Sequence, residues 1–238
     1  MDLVLLSQEG LAFLFRWIHF LAGITWIGLL YYFNFVQVPF FAETEAPVRS
    51  GAIAKLVPRA LWWFRWGAMF TFLSGLAIIL LRIVQGGGAV MSTSWGVTIS
   101  IGALLGILMF LNVWLIIWPN QKIVIASTQA VLAGGQADPA AAGAGAKAFV
   151  ASRTNTLFSI PMLFFMAAAS HLTLFGVPKG NPGIAMAIPT VIIAIFEANA
   201  IFGKKNEGLS KLLEKHVAVI HAGLGLAAVF YLVLDVML

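Results

Sequence analysis

Cysteine is absent from the chain. Disulfides, thiolate metal sites, iron–sulfur clusters and the C-x-x-C-H attachment of c-type haem are excluded with it. Charge is nearly as scarce, at 10% of 238 residues, where soluble domains carry about 25%. The chain is instead 61% hydrophobic with a mean hydropathy of +0.97, so its solvent is the bilayer and lipid is its first partner. A net charge of +5 would suit a nucleic-acid partner, but no dense basic cluster or stripe exists and none is expected. No cleavable signal peptide is evident, because the apolar run from Leu11 is too long for one and no small-residue cleavage site follows it. The glycines of LAGGQADPAAAGAGAKA are not followed by G-K-[ST], which excludes a phosphate-binding loop.

What is present is a series of apolar runs of about 20 residues, the length that crosses a bilayer. Five are clear, at about 11–38, 61–83, 95–118, 182–203 and 216–237; a sixth, about 155–177, carries Pro161 near its start. The expected fold is an all-α integral membrane protein, a bundle of about six transmembrane helices forming one domain over residues 1–238. GGGAVMSTS is a short turn, LAGGQADPAAAGAGAKA a flexible or weakly helical connector, and ETEAPVRSGAIAKLVPRA an amphipathic segment along the interface. Loops after the first, third and fifth spans hold Arg49, Lys55, Arg59, Lys122, Lys147, Arg153, Lys204, Lys205, Lys211 and Lys215; those after the second and fourth hold only Arg82 and Lys179. That bias predicts a multi-pass protein of the bacterial inner (cytoplasmic) membrane with both termini on the periplasmic side. Trp62, Trp63, Trp66 and Trp118 at inner ends, and Trp17 and Trp95 at outer ends, agree with it.

Four histidines stand out in so apolar a chain. His19, one turn after Arg16, and His171, near the end of the fourth span, both fall within roughly 10 Å of the outer boundary at 1.5 Å rise per residue. Gly23 lies one turn after His19, and Ala167 and Ala168 lie one turn before His171, leaving room for a flat porphyrin. His19 and His171 are therefore expected as the axial ligands of a haem b iron, with Arg16 paired to a propionate. The competing use of both rings is hydrogen bonding between helices. His221, beside Gly225, is the substitute ligand, while His216 lies nearer the cytoplasmic interface. An ion inside the membrane is costly and usually paired, so Arg65 and Glu197, at one depth, are expected to form a structural ion pair. Asn34 and Asn112 are expected to hydrogen-bond across helices.

The blocks RWIHFLAGITWIGLLYYFNF, LVPRALWWFRWGAMFTFLSG, NVWLIIWPNQK and RTNTLFSIPMLFFMAAASH, in this order, resemble the membrane domain of the bacterial cytochrome c-linked urate oxidases. The first block also looks distantly like other small haem b membrane oxidases. The resemblance implies an oxidoreductase that converts urate to 5-hydroxyisourate and sends electrons to cytochrome c. Those oxidases carry a cytochrome c domain after the membrane part, whereas this sequence stops at Leu238. A separate periplasmic cytochrome c is therefore expected as electron acceptor. The alternative role is that of a non-catalytic accessory or structural subunit of a larger respiratory or photosynthetic membrane complex.

Overall fold

The computed structural model describes residues 3–238, and its elements are helical throughout. Ser7 caps the first helix by accepting from the Gly10 amide, and α1 (Gln8–Tyr31) continues through a wide-turn π segment, Tyr32–Gln37, into α2 (Val38–Glu43). A short helix, α3 (Ala46–Lys55), precedes α4 (Val57–Gly86). After a 3-10 turn at Gly88–Ser92, Thr93 caps α5 (Ser94–Leu111). A second π segment, Asn112–Ile117, leads into α6 (Trp118–Leu132). Then follow α7 (Ala141–His171), α8 (Pro182–Phe202, capped by Asn181), α9 (Gly208–Leu212) and α10 (His216–Met237). Five continuous stretches are long and apolar enough to cross a membrane: Gln8–Glu43, Val57–Gly86, Ser94–Leu132, Pro182–Phe202 and His216–Met237. The protein is thus an all-helical, multi-pass membrane protein.

The sixth run expected at 155–177 takes a different form. Helix α7 begins at Ala141, inside the supposed connector, and ends at His171, short of residue 177. It packs against α1, α5, α6, α8 and α10, and nearly every residue from Ala151 to Ser159 is buried. Protein surrounds α7 over Ala151–Ser159, where its polar side chains meet hydrogen-bonding partners on neighbouring helices. That explains why it tolerates the polar sequence SRTNT and is not among the five apolar stretches, while Leu163 and Phe164 farther along stay exposed. Residues 172–181 form a non-helical strap, fastened where the Leu174 amide donates to Ser94 Oγ (2.9 Å) and the Lys179 amide donates to the Leu238 carbonyl (2.8 Å).

Small residues let two helix pairs approach closely, the usual device where lipid removes the hydrophobic drive between helices. On α4 the four-residue series Gly67, Thr71, Gly75 faces α1, and a Cβ at Gly67 would stand 3.1 Å from the Trp26 amide nitrogen. On α5, Gly102 and Gly106 face Met162 and Met166 of α7. Both π segments end two residues before a proline, Pro39 and Pro119. Proline has no N–H for the carbonyl four residues back and its ring displaces that carbonyl. The wider turn absorbs the clash, and the Val38 and Trp118 amides reach five residues back to Phe33 and Val113.

Candidate functional site

An apolar cavity of about 480 Å³ opens between α1, α4, α5 and α7. His19, Gly23 and Trp26 of α1 line it, with Gly75 of α4, Gly106 of α5 and Met166 of α7 among the opposing walls. It runs along α1 from His19 to Tyr31, a length of about 18 Å at helical rise. The His19 ring lies against α4, where a Cβ at Gly75 would stand 3.0 Å from its Cε1. Its Nδ1 is 3.2 Å from Ser74 Oγ. That hydroxyl donates to the backbone carbonyl of Phe70 (2.6 Å), so toward His19 it acts as acceptor. Nδ1 therefore carries the proton and Nε2 keeps a free lone pair. Trp26 is 1% exposed, and its indole N–H has no partner.

Three of the other residues expected around an iron are placed elsewhere. His171 is exposed at the end of α7 and takes no part in the cavity lining; Arg16 is exposed one turn before His19. His221 is exposed and its Nδ1 is 2.8 Å from the Val217 carbonyl of its own helix. Gly23 does line the cavity, close to Thr71.

A seam of buried polar groups lies where the π segments meet α7. Asn112 donates to Asn155 Oδ1 and to Glu197 Oε2, both at 3.0 Å, and Asn155 donates to the Met109 carbonyl at 2.9 Å. Asn34 donates to the Leu30 carbonyl and to Ser152 Oγ, both at 2.9 Å. Tyr31 and Ser159 hydroxyls bond at 3.0 Å. Because Tyr31 also lines the cavity, it joins cavity and seam, and its ring stacks on Phe35 at 5.0 Å. Both asparagines thus bridge helices as expected.

The expected Arg65–Glu197 ion pair does not form. Helix α4 packs chiefly on α1, whereas α8 packs on α10, α7 and α5, and the two helices are not direct packing partners. Glu197 is held by Asn112, and the Arg65 guanidinium lies over the Trp118 ring, 4.0 Å from its centroid, with Trp114 at 5.8 Å. Aromatic faces replace the carboxylate as the neighbour of this cation.

Arg153 is the residue most displaced from expectation. Counted as a loop cation in the charge bias, it is a helical residue of α7 and only 2% exposed. Its one hydrogen bond is a long contact from Nη1 to the Asn34 carbonyl (3.5 Å); Nε is buried without a partner, and the guanidinium faces the Phe149 ring at 5.0 Å. The signal was present in R-T-N-T directly before an apolar run: four polar residues there are either loop or the buried turn of a longer helix, and the Ala/Gly-rich stretch behind them continues the helix.

Residues 87–232 match the family model described as urate oxidase N-terminal. The chain belongs to that family. The matched segment of this urate oxidase N-terminal protein supplies α5 to α9 and most of α10, and with them Asn112, Arg153, Asn155 and Glu197; His19 and Ser74 precede it. No curated protein and no solved structure matches the chain.

Proposed function

We propose that the chain is a membrane haem b redox protein of the urate oxidase membrane-domain type, passing electrons from urate to a periplasmic cytochrome c. In the overall reaction urate takes up one water and becomes 5-hydroxyisourate, releasing two electrons and two protons; the electrons leave to cytochrome c. The orientation that puts both termini outside and α7 across the membrane as a sixth span belongs to the same proposal.

The observation that carries it is the His19 ring. Its Nδ1–H is fixed on Ser74, which leaves Nε2 as a ligating nitrogen on the wall of an apolar cavity. A histidine ligand is ordinarily held in this way, with the second nitrogen hydrogen-bonded to fix tautomer and ring orientation. The residues present fit a b-type haem: glycine and apolar walls would admit a flat ring, and His19 with a thioether of Met162 or Met166 from α7 would hold it. We place the second donor there in preference to His171, which lies outside the lining, and retain Arg16 as the partner of a propionate. When bound, the haem would supply a one-electron couple. The chain's residues give the cavity apolar walls, hold His19 in one tautomer, and link cavity to seam through Tyr31 and Phe35.

A pyridine haemochrome assay on the purified full chain tests this. Protohaem is expected, lost in His19→Ala, spectrally altered in Met162→Ala or Met166→Ala, and unchanged in His171→Ala. Folded protein with no haemochrome, or undiminished haem in His19→Ala, overturns the proposal. The first result, together with a copurifying partner, would favour the accessory-subunit role.

A further inference from the structure

Arg153 poses a problem that the haem cavity does not address. A guanidinium carries a full positive charge and five N–H donors, and this one is almost wholly buried with a single long contact to a carbonyl. Among the described residues no carboxylate lies within hydrogen-bonding distance of it; Glu197, the carboxylate of the seam, is held by Asn112. Burying a charge without a partner is costly. Proteins retain such a charge where something else supplies the anion.

The surroundings have the same character. The Phe149 ring that faces Arg153 also carries Lys205 Nζ, 4.8 Å from its centroid. The Asn34 carbonyl that Arg153 touches belongs to the residue before Phe35, whose ring lies 6.1 Å from that of His216. His216 is the first residue of α10, a helix start without any side-chain cap, so its free amides add positive potential beside the Phe35 ring. One turn along the π segment, Gln37 Oε1 is buried without a donor and could accept from a ring N–H. Through the Phe149 ring Arg153 shares a neighbour with Lys205, and through Asn34 and Phe35 it is linked to the start of α10 at His216. Phe35, His216 and Lys205 are at least partly exposed, which leaves an approach from this end of the bundle.

We propose that Arg153 is the anchor of an anion site at the π-segment end of the bundle, and that its occupant is the urate monoanion. This rests on the urate-oxidising reading above. Urate is planar and anionic, presents carbonyl oxygens and a ring nitrogen along one edge to a guanidinium fork, and carries N–H groups that an unpaired amide oxygen can accept. The aromatic rings of Phe35 and Phe149 suit its faces. The site is separate from the His19 cavity, and Tyr31, stacked on Phe35 and lining that cavity, stands between the two.

The test is thermal unfolding of the purified full chain with and without urate, using inorganic phosphate as a second probe, on the wild type, Arg153→Lys and Arg153→Met. Urate should raise the melting temperature of the wild type while phosphate does not. Arg153→Met, which replaces the buried charge by an apolar chain of similar length, should fold at least as stably without urate and lose the urate-induced rise. Arg153→Lys should keep a rise with an apparent affinity about tenfold or more weaker, as expected when a bidentate charged contact becomes a single one. An equal urate-induced rise in Arg153→Met, or no rise in the wild type, overturns the site. An equal rise with phosphate overturns urate as its occupant. Haem content of Arg153→Met, read by pyridine haemochrome, should equal the wild-type value, so the haem reading and the anion site fail separately.

Discussion

One amide group at Asn112 serves two acceptors on two different helices, Asn155 of α7 and Glu197 of α8. Truncating it leaves Asn155, which is fully buried, with an unpaired oxygen and removes the donor that holds Glu197. Asn112→Ala should therefore destabilise the fold by about 1–3 kcal/mol, measurable by denaturant titration in detergent. Glu197→Gln keeps an acceptor oxygen for the same amide and should cost well under half as much. If Asn112→Ala unfolds at the wild-type midpoint, the seam does not hold the helices together. Legibility in the sequence differs sharply among such residues. His19 was visible because a titratable ring in an apolar run has few explanations, and Asn34 and Asn112 were visible for the same reason. Arg153 was hidden by its position at the edge of an apolar run, where a cation ordinarily marks the membrane boundary. Arg65 and Glu197 were visible as buried ions, but shared depth cannot say which helices are neighbours, and a ring face proved a sufficient partner for the arginine.

At the scale of elements, the packing of α7 depends on how closely its neighbours can come. Gly223 of α10 is the tightest such point along that pair, because a Cβ there would lie 2.6 Å from Ile160 Cδ1, 3.0 Å from Ile160 Cβ and 3.1 Å from the Leu157 carbonyl oxygen. The first atom can rotate away, but the other two belong to a helix that would have to shift. Gly223→Val should lower stability by about 1–3 kcal/mol, the ordinary cost of overpacking, whereas the same change at Gly225, which has open space around it, should be nearly silent. Equal melting temperatures for the two variants would contradict the close α7–α10 contact. Helix existence was legible from the apolar runs, and four of the five clear runs fall within the helices that formed. Their ends were not. Helices α1 and α5 run on past the apolar boundary through π segments, because a proline in an unbroken helical run was absorbed by a wider turn rather than ending the helix. No local propensity distinguishes those outcomes; the buried asparagines that fix the turns against α7 decide it.

For the whole molecule, the proposed six-span orientation has the 3-10 turn at Gly88–Ser92 on one side of the membrane and the α8–α9 connection on the other. The lack of native cysteine makes this directly testable, since single thiols introduced at exposed Ser92 and Lys204 are the sole targets for a membrane-impermeant maleimide. In intact spheroplasts Ser92→Cys should label and Lys204→Cys should label only after permeabilisation. The reverse pattern would invert the topology and move the Arg153 site to the periplasmic side. With Arg153 removed from the loop count, nine cations still oppose two, so the orientation does not depend on the residue that proved to be buried.

The central position of α7 has a consequence for how the protein is made. In the proposed six-span arrangement its polar stretch from Ser152 to Thr156, with an arginine inside it, is poorly suited to leaving the translocon for lipid alone. The groups that make Asn34, Asn112 and the glycines of α5 acceptable neighbours are already synthesised when α7 emerges, since all of them precede it in the chain. In that arrangement α7 enters the bilayer as a guest of its elders, and any lesion in α1 or α5 that delays their partnership should leave it stranded for the quality-control proteases.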